Sequence, residues 1–219
     1  SGDWSSDVCS SDLASSLRKR SGRLWEHRHL MIKLIGLCGF ARSGKNAFGD
    51  MLKDICLEQT GDKSCAQTLS FAYALRKELD SFTTAKLGIS SFTEDPEEKE
   101  IIRPLLVCWG TDIMRNKIDK NYWVKKIQKP VEINRKNKIS SIITDVRFEN
   151  ELDWIRQNKG ISIFIEREGV GPKNNDELNF TQPLKQKCDY IFSWPNLNNL
   201  DSEGKQMIKS FLSDHNICH

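Results

Sequence analysis

MIKLIGLCGFARSGKNAFGD, residues Met31–Asp50, decides how this chain folds. Ile32 to Leu37 is an apolar run of the length of a buried strand. Gly39-Phe-Ala-Arg-Ser-Gly44-Lys45-Asn46 matches the phosphate-binding loop pattern G-x-x-x-x-G-K-[ST] at every position but the last. Phe48, Met51, Leu52, Ile55 and Cys56 then fall at helical spacing. A strand, a glycine loop and a helix N-terminus in that order aim backbone N–H groups and the positive end of a helix dipole at a polyphosphate. Lys45 adds a point charge on the terminal phosphates. The implied ligand is a nucleoside triphosphate. Asn46 stands where a Ser or Thr hydroxyl would touch Mg2+, and an amide oxygen there ligates the ion weakly or holds one of its waters. A glycine turn with an exposed lysine is the bland alternative.

Working outward, strands and helices alternate. The loop helix runs to about Gln59. Gln67 to Phe71 reads as a second strand, and Ala72 to Phe82 as a helix with Leu75, Leu79 and Phe82 on one face. Thr83 to Asp95 is a looser connection. Pro96 opens a long helical stretch through Lys117, kinked or divided at Pro104, and Tyr122 to Glu132 gives another helix. Ile139 to Thr144 is a third strand ending in Asp145. Phe148, Leu152 and Ile155 mark the helix after it, ended by Gly160. Ile161, Ile163 and Ile165 alternate as a strand, Gly169 to Lys187 is a loop or lid, Tyr190 to Trp194 is a last strand, and Asp201 to Leu212 closes the chain as a helix. The expected fold is α/β: a five-stranded parallel sheet sandwiched by helices in three layers, with ligands at the carboxyl ends of the strands.

The first 30 residues read differently. Asp3 to Leu13, DWSSDVCSSDL, resembles a translated sequencing adapter, and residues 14 to 30 are basic and patternless. They lack the apolar core of a signal peptide. The expected organisation is a non-native or disordered extension over 1–30 and one domain with a real core over 31–219, with translation starting at Met31. A basic arm that touches nucleic acid or membrane is the other reading.

The whole chain has 33 basic and 30 acidic residues, a formal charge of +3. Such balance argues against a protein organised around nonspecific nucleic-acid binding, and no stretch approaches the roughly 18 apolar residues of a membrane span. From Met31 on, the six cysteines sit singly, with no C-x-x-C pair and only His215 and His219 nearby in type. Buried reduced thiols in a cytoplasmic protein fit this better than a zinc site.

Charged positions narrow the chemistry. Asp145 at the end of ISSIITD is placed to hold Mg2+ through water or to position a substrate, with helix capping as the alternative. Arg42, Arg76, Arg103, Arg115, Arg147 and Arg167 sit at loops, element ends or in the helical region between strands two and three. Phosphoryl transfer between two nucleotides needs cations on both sides of the moving group, and guanidinium forks suit that task.

Four segments in order, GFARSGKN, SFAYALRKEL, LLVCWGTDIMRNKIDKNYWV and ITDVRFENELDWI, make the chain resemble the deoxynucleoside monophosphate kinases of tailed bacteriophages, in the adenylate-kinase-like group of phosphate-loop enzymes. The resemblance spans Met31 to Phe211. It implies ATP as donor, Mg2+ as cofactor, a (deoxy)nucleoside monophosphate as acceptor, and insertions that bind the monophosphate and form a lid. Family members commonly carry Asp after the loop lysine and a threonine next, where this chain has Asn46 and Ala47. Carried over by motif, Gly39, Ala41, Arg42, Ser43, Gly44, Lys45, Asn46 and Ala47 hold the donor, with Lys45 and Arg42 on its reacting phosphates. Arg76, Arg103, Asp112 and Arg115 face the acceptor, and Trp123 stacks on its base or is a core residue. Asp145 and Arg147 line the crevice, Asp145 sharing Mg2+ with Asn46 and Arg147 taking a phosphate. Glu151 orients Arg147 or is a solvated helix residue. Arg167 and Lys173 belong to the lid. A homodimer is compatible with all of this.

Competing readings are a dephospho-coenzyme A or phosphomevalonate kinase with the same opening, a nucleotide-binding module without catalysis (favoured by Asn46 and Ala47), and a DNA-dependent ATPase, which needs a basic track that the sequence lacks.

Overall fold

The computed structural model describes residues 34–175, 177–195 and 200–217. The expected extension over 1–30 and the start at Met31 lie outside them. Five parallel strands form one sheet in the order β2-β3-β1-β4-β5. They are β1 (Leu34–Cys38), β2 (Ala66–Leu69), β3 (Ser140–Val146), β4 (Ile161–Arg167) and β5 (Tyr190–Trp194). The helices are α1 (Lys45–Thr60), α2 (Phe71–Leu87), α3 (Pro96–Val107), α4 (Tyr122–Lys136), α5 (Glu149–Gln157) and α6 (Leu200–Asp214).

Alternation along the strands sorts the core into two layers. Ile35, Leu37, Ile142, Ile163 and Ile165 face one way and pack with Phe48, Leu52 and Ile55 of α1 and Ile208 and Leu212 of α6. Leu34, Cys38, Ile143, Val146 and Phe164 face the other way, against Trp123, Val124 and Ile127 of α4 and Leu152 and Ile155 of α5. Because β1 is buried along its whole length, it sits at the centre of the sheet. Each fully buried Leu, Ile or Phe contributes about 1.5–3 kcal/mol. The three-layer α/β sandwich expected from the sequence is therefore the observed architecture.

Differences of detail have local causes. Helix α2 runs on through Leu87, five residues past the expected end, because Thr83 is buried and the helix stops only at Gly88, whose N–H caps Thr84 O. The long helical stretch opens at Asp95, which accepts from Glu97 and Glu98 N–H (both 2.9 Å). It does not end at Pro104. After α3 it widens into a π-helix over Cys108–Ile118, marked by the Asp119 N–H to Met114 O bond (2.8 Å). There Leu75 packs against Gly110, whose carbonyl accepts from Trp123 Nε1 (2.8 Å). The expected lid at Gly169–Lys187 contains a second short π-helical turn, Glu177–Thr181, and a 3-10 turn, Gln182–Gln186.

Parallel strands bring all their carboxyl ends to one edge. Between the pairs Gly36–Ile143 and Cys38–Val146, β3 carries one more residue than β1. This irregularity falls at Thr144–Asp145, beside the phosphate-binding loop, where such a bulge re-aims side chains.

Candidate active site

The loop between β1 and α1 needs its two motif glycines. Gly39 has φ +136° and Gly44 has φ +89°, both in the region that side chains disfavour. A Cβ on Gly39 would also run into Ile165 O, and one on Gly44 would come 2.7 Å from Trp194 Nε1. Gly44 is the N-cap of α1, so no side chain caps this helix, and its first turn holds no acidic residue. The N–H groups and positive dipole end of α1 therefore face the crevice uncompensated. Arg42, at φ +67°, and Asn46 are exposed; Ala41 and Ala47 are half-buried.

Lys45 folds back over this loop, its ammonium donating to Gly39 O (2.8 Å) and Phe40 O (2.6 Å). Burial first, and the nearby Arg147 cation next, lower its pKa to about 8 against the opposing pull of the Glu177 and Asp145 carboxylates. Lys45, Arg147, Asp145 and Glu177 thus form one electrostatic group.

Asp145 is committed. Its Oδ1 accepts from Phe71 N–H (2.9 Å), and Oδ2 accepts from Ala72 N–H and Ser70 Oγ (both 2.8 Å). The carboxylate caps α2, a helix distant in sequence, and not the helix that follows it. Of the expected roles, holding Mg2+ through water, positioning a substrate or capping a helix, the structure shows a cap, since both oxygens serve the positive end of α2.

Arg115 and Glu151 require a correction. Both are buried, 7% and 2% exposed. They form an ion pair, Arg115 Nη2 to Glu151 Oε1, in place of the contact expected between Arg115 and the acceptor and of a solvated helix position for Glu151. Arg115 also donates to Asn150 Oδ1 (2.7 Å) and lies 3.5 Å over the Phe148 ring. Glu151 Oε2 accepts from Arg147 N–H (2.9 Å) and Phe148 N–H (3.2 Å). Burial pushes the Glu151 carboxyl up to about 7 against the pull of Arg115 and these amides, and burial lowers Arg115 as well. Glu151 therefore fixes the backbone of Arg147, while the Arg147 side chain stays exposed. Asn150 completes the joint by donating to Lys120 O (3.0 Å) and Asn121 Oδ1 (2.9 Å).

Trp123 is a core residue, 5% exposed and bonded to the Gly110 carbonyl, so it does not offer a face for stacking. Asp112 is exposed on the π-helix. Arg76 lies on α2, half-buried and about 7–8 Å along the helix from its capped start, by the rise per residue. Arg103, on α3, is exposed and 3.8 Å from Glu100. Arg167 ends β4, two residues past the Ile165 carbonyl that lies against Gly39. Lys173 is exposed, and its N–H donates to Glu177 Oε2 (2.9 Å).

Sequence reading missed two residues of the site, Trp194 and Glu177. Trp194 underlies Gly44 from the end of β5; its place at a strand's carboxyl end was the available signal. Ser43 is fully buried inside the loop, and among the described residues its Oγ and Trp194 Nε1 lack hydrogen-bond partners. Glu177 accepts from Ala41 N–H (2.9 Å), a contact across 136 positions that no spacing rule announces.

A glycine loop leading from the central strand of a five-stranded parallel sheet into an uncapped helix defines a phosphate-loop α/β protein. More particularly, the chain belongs to the deoxynucleotide monophosphate kinase family, whose model matches residues 55–191, more than half of the chain. It is a phosphotransferase. The match begins inside α1, after the loop. No curated protein matches the chain. Similar solved structures include a sugar kinase from Janibacter sp. HTCC2649 (12% identity, TM-score 0.39, covering 85% of this chain and 95% of that one). Another is a shikimate kinase from Bacteroides thetaiotaomicron (11%, 0.41, 83% and 99%). A third is the APS kinase CysC of Mycobacterium tuberculosis in complex with AMPPNP and APS (12%, 0.34, 85% and 99%). No described helix is long and apolar enough to cross a membrane.

Proposed function

We propose that the protein transfers the terminal phosphoryl group of ATP to a deoxynucleoside monophosphate, giving ADP and the deoxynucleoside diphosphate. One observation carries this reading within the kinase family. The uncapped N-terminus of α1 and Lys45 meet a second cation, Arg147, at the carboxyl ends of the adjacent strands β1 and β3. Charge in a transferring phosphoryl group spreads over its equatorial oxygens, so cations are needed around it.

The N–H groups of the loop and of α1 would hold the donor's β- and γ-phosphates, with Lys45 turning from the Gly39 and Phe40 carbonyls onto them. Arg42 and Arg167 flank the donor, and Arg76 and Arg103 serve the acceptor from the helices after β2, with Asp112 at its margin. An acceptor phosphate oxygen forms the new bond to the γ-phosphorus. The bond to the β,γ-bridging oxygen breaks, and its electron pair leaves with ADP. The acceptor oxygen is already anionic at neutral pH, so no general base is required, and positioning with electrostatic stabilisation suffices. Mg2+, when bound, neutralises charge across the donor phosphates. Asn46 is the loop residue that would hold it, directly or through water. Asp145 acts at the site through its charge and through α2.

Family membership favours this reading over a dephospho-coenzyme A or phosphomevalonate kinase. We place the activity in the cytoplasm, in keeping with described cysteines that form no disulfide. The test is an ADP-release assay with ATP, Mg2+ and each nucleoside and deoxynucleoside monophosphate. Turnover with one or more deoxynucleotides supports the proposal. Silence across the panel with ATP still bound would favour the non-catalytic module suggested by Asn46 and Ala47.

A further inference from the structure

We propose that Glu177 is an internal competitor of the donor triphosphate, its carboxylate holding an anion position of the phosphate loop that ATP must take over. The inference rests on the donor reading of that loop and concerns its regulation. Glu177 Oε1 accepts from Ala41 N–H at 2.9 Å, and Ala41 lies within the glycine loop itself. A single amide hydrogen cannot serve a carboxylate and a phosphate oxygen at full strength, so the two anions exclude one another there. The surroundings explain the attraction. The open end of α1, Lys45 and Arg147 concentrate positive potential at this point, and a carboxylate offsets it.

The contact is built into the fold. Glu177 Oε2 accepts from Lys173 N–H, and Glu177 N–H donates to Asn174 Oδ1 (both 2.9 Å), so a local turn holds the side chain in place. Three residues on, the Phe180 ring packs against Phe148 with centroids 5.4 Å apart. Phe148 follows Arg147 and carries the Arg115 guanidinium on its ring. Displacing Glu177 therefore shifts the Glu177–Thr181 turn at a point joined to the backbone of Arg147. Arrival of the donor is coupled in this way to the cation that faces it across the crevice.

The experiment is calorimetric titration of the full chain and of Glu177→Gln and Glu177→Ala with Mg-ATP, pyrophosphate and adenosine at pH 7.5. Removing the competing charge should lower Kd for ATP and for pyrophosphate at least fivefold in both variants and leave adenosine unchanged. Glu168→Gln, which removes an exposed carboxylate nearby in sequence, should bind like the parent protein. Equal or weaker ATP binding by both Glu177 variants, with the parent binding ATP, overturns the competitor alone. No binding of ATP or pyrophosphate by any of the proteins overturns the donor reading and the competitor with it.

Discussion

Replacing Arg115 by methionine keeps most of the side-chain volume and removes the only cation bonded to Glu151 among the described residues. Glu151 then lies buried with two backbone N–H donors, from Arg147 and Phe148, and no countercharge. Breaking one half of a buried pair costs about 3–5 kcal/mol. In a domain of this size that corresponds to a fall in Tm of about 6–20 °C, at about 2–4 °C per kcal/mol. The loss should depend on pH. The folded Glu151 carboxyl, at about 7, already stands above its ordinary 4.5, so its favourable contribution is complete below 4.5 and is lost as pH rises through 7. Without Arg115 the folded value rises further, so the variant should lose additional stability above about pH 7, by up to about 1.4 kcal/mol per unit. Thermal and urea unfolding of both proteins at pH 5.5, 7 and 8.5 measure this. Adding Glu151→Gln should recover at least half of the loss at pH 8.5, because the amide oxygen still accepts from the backbone and no charge is buried. A Tm within 1 °C of the parent, with a raised KM for the acceptor, would refute the buried-pair reasoning and return Arg115 to the substrate.

Other perturbations probe the rest of the crevice. Lys45→Ala should lower kcat by about 100-fold or more with the circular dichroism spectrum unchanged, and full retained activity would remove the loop from the chemistry. Because Lys45 titrates at about 8 in the free protein and phosphate favours its charged form, ATP affinity should be greatest below pH 7 and fall as pH rises through 8. A flat profile to pH 9.5 contradicts the shift. Arg147→Ala should reduce kcat/KM at least tenfold, about 1.4 kcal/mol; an unchanged value makes it an ordinary surface arginine. Asp145→Ala should cost about 1–2 kcal/mol of stability through the lost cap on α2 while leaving the Mg2+ concentration for half-maximal rate unaltered. A strong shift in that concentration would show Asp145 to hold the ion.

The element order was legible because each signal is local. The apolar run of β1 and the alternation of Ile161, Ile163 and Ile165 in β4 are written within a few residues, and helical spacing in α1 and α5 repeats within a few turns. The loop glycines were legible for the same reason: both positive-φ glycines, Gly39 and Gly44, fall within one short loop. End positions were less so. Thr83 carries α2 onward because it meets a buried environment made by distant residues, which its own polarity does not announce.

Side-chain roles divide along the same line. Sequence by itself determined that a strand, a glycine loop, Lys45 and an uncapped helix stand in succession, since their geometry is fixed by neighbouring backbone. It also marked Trp109–Val124 and Asp145–Glu151 as special without saying what they do. Only the tertiary structure decided that Asp145 caps α2 across more than 70 positions, that Arg115 and Glu151 neutralise one another in the core, and that Trp123 answers a carbonyl of the π-helix. A buried charge and a crevice charge look alike in a sequence. Which one a residue becomes depends on what other segments bring within about 3 Å of it, and that distance exists only once the sheet has been assembled.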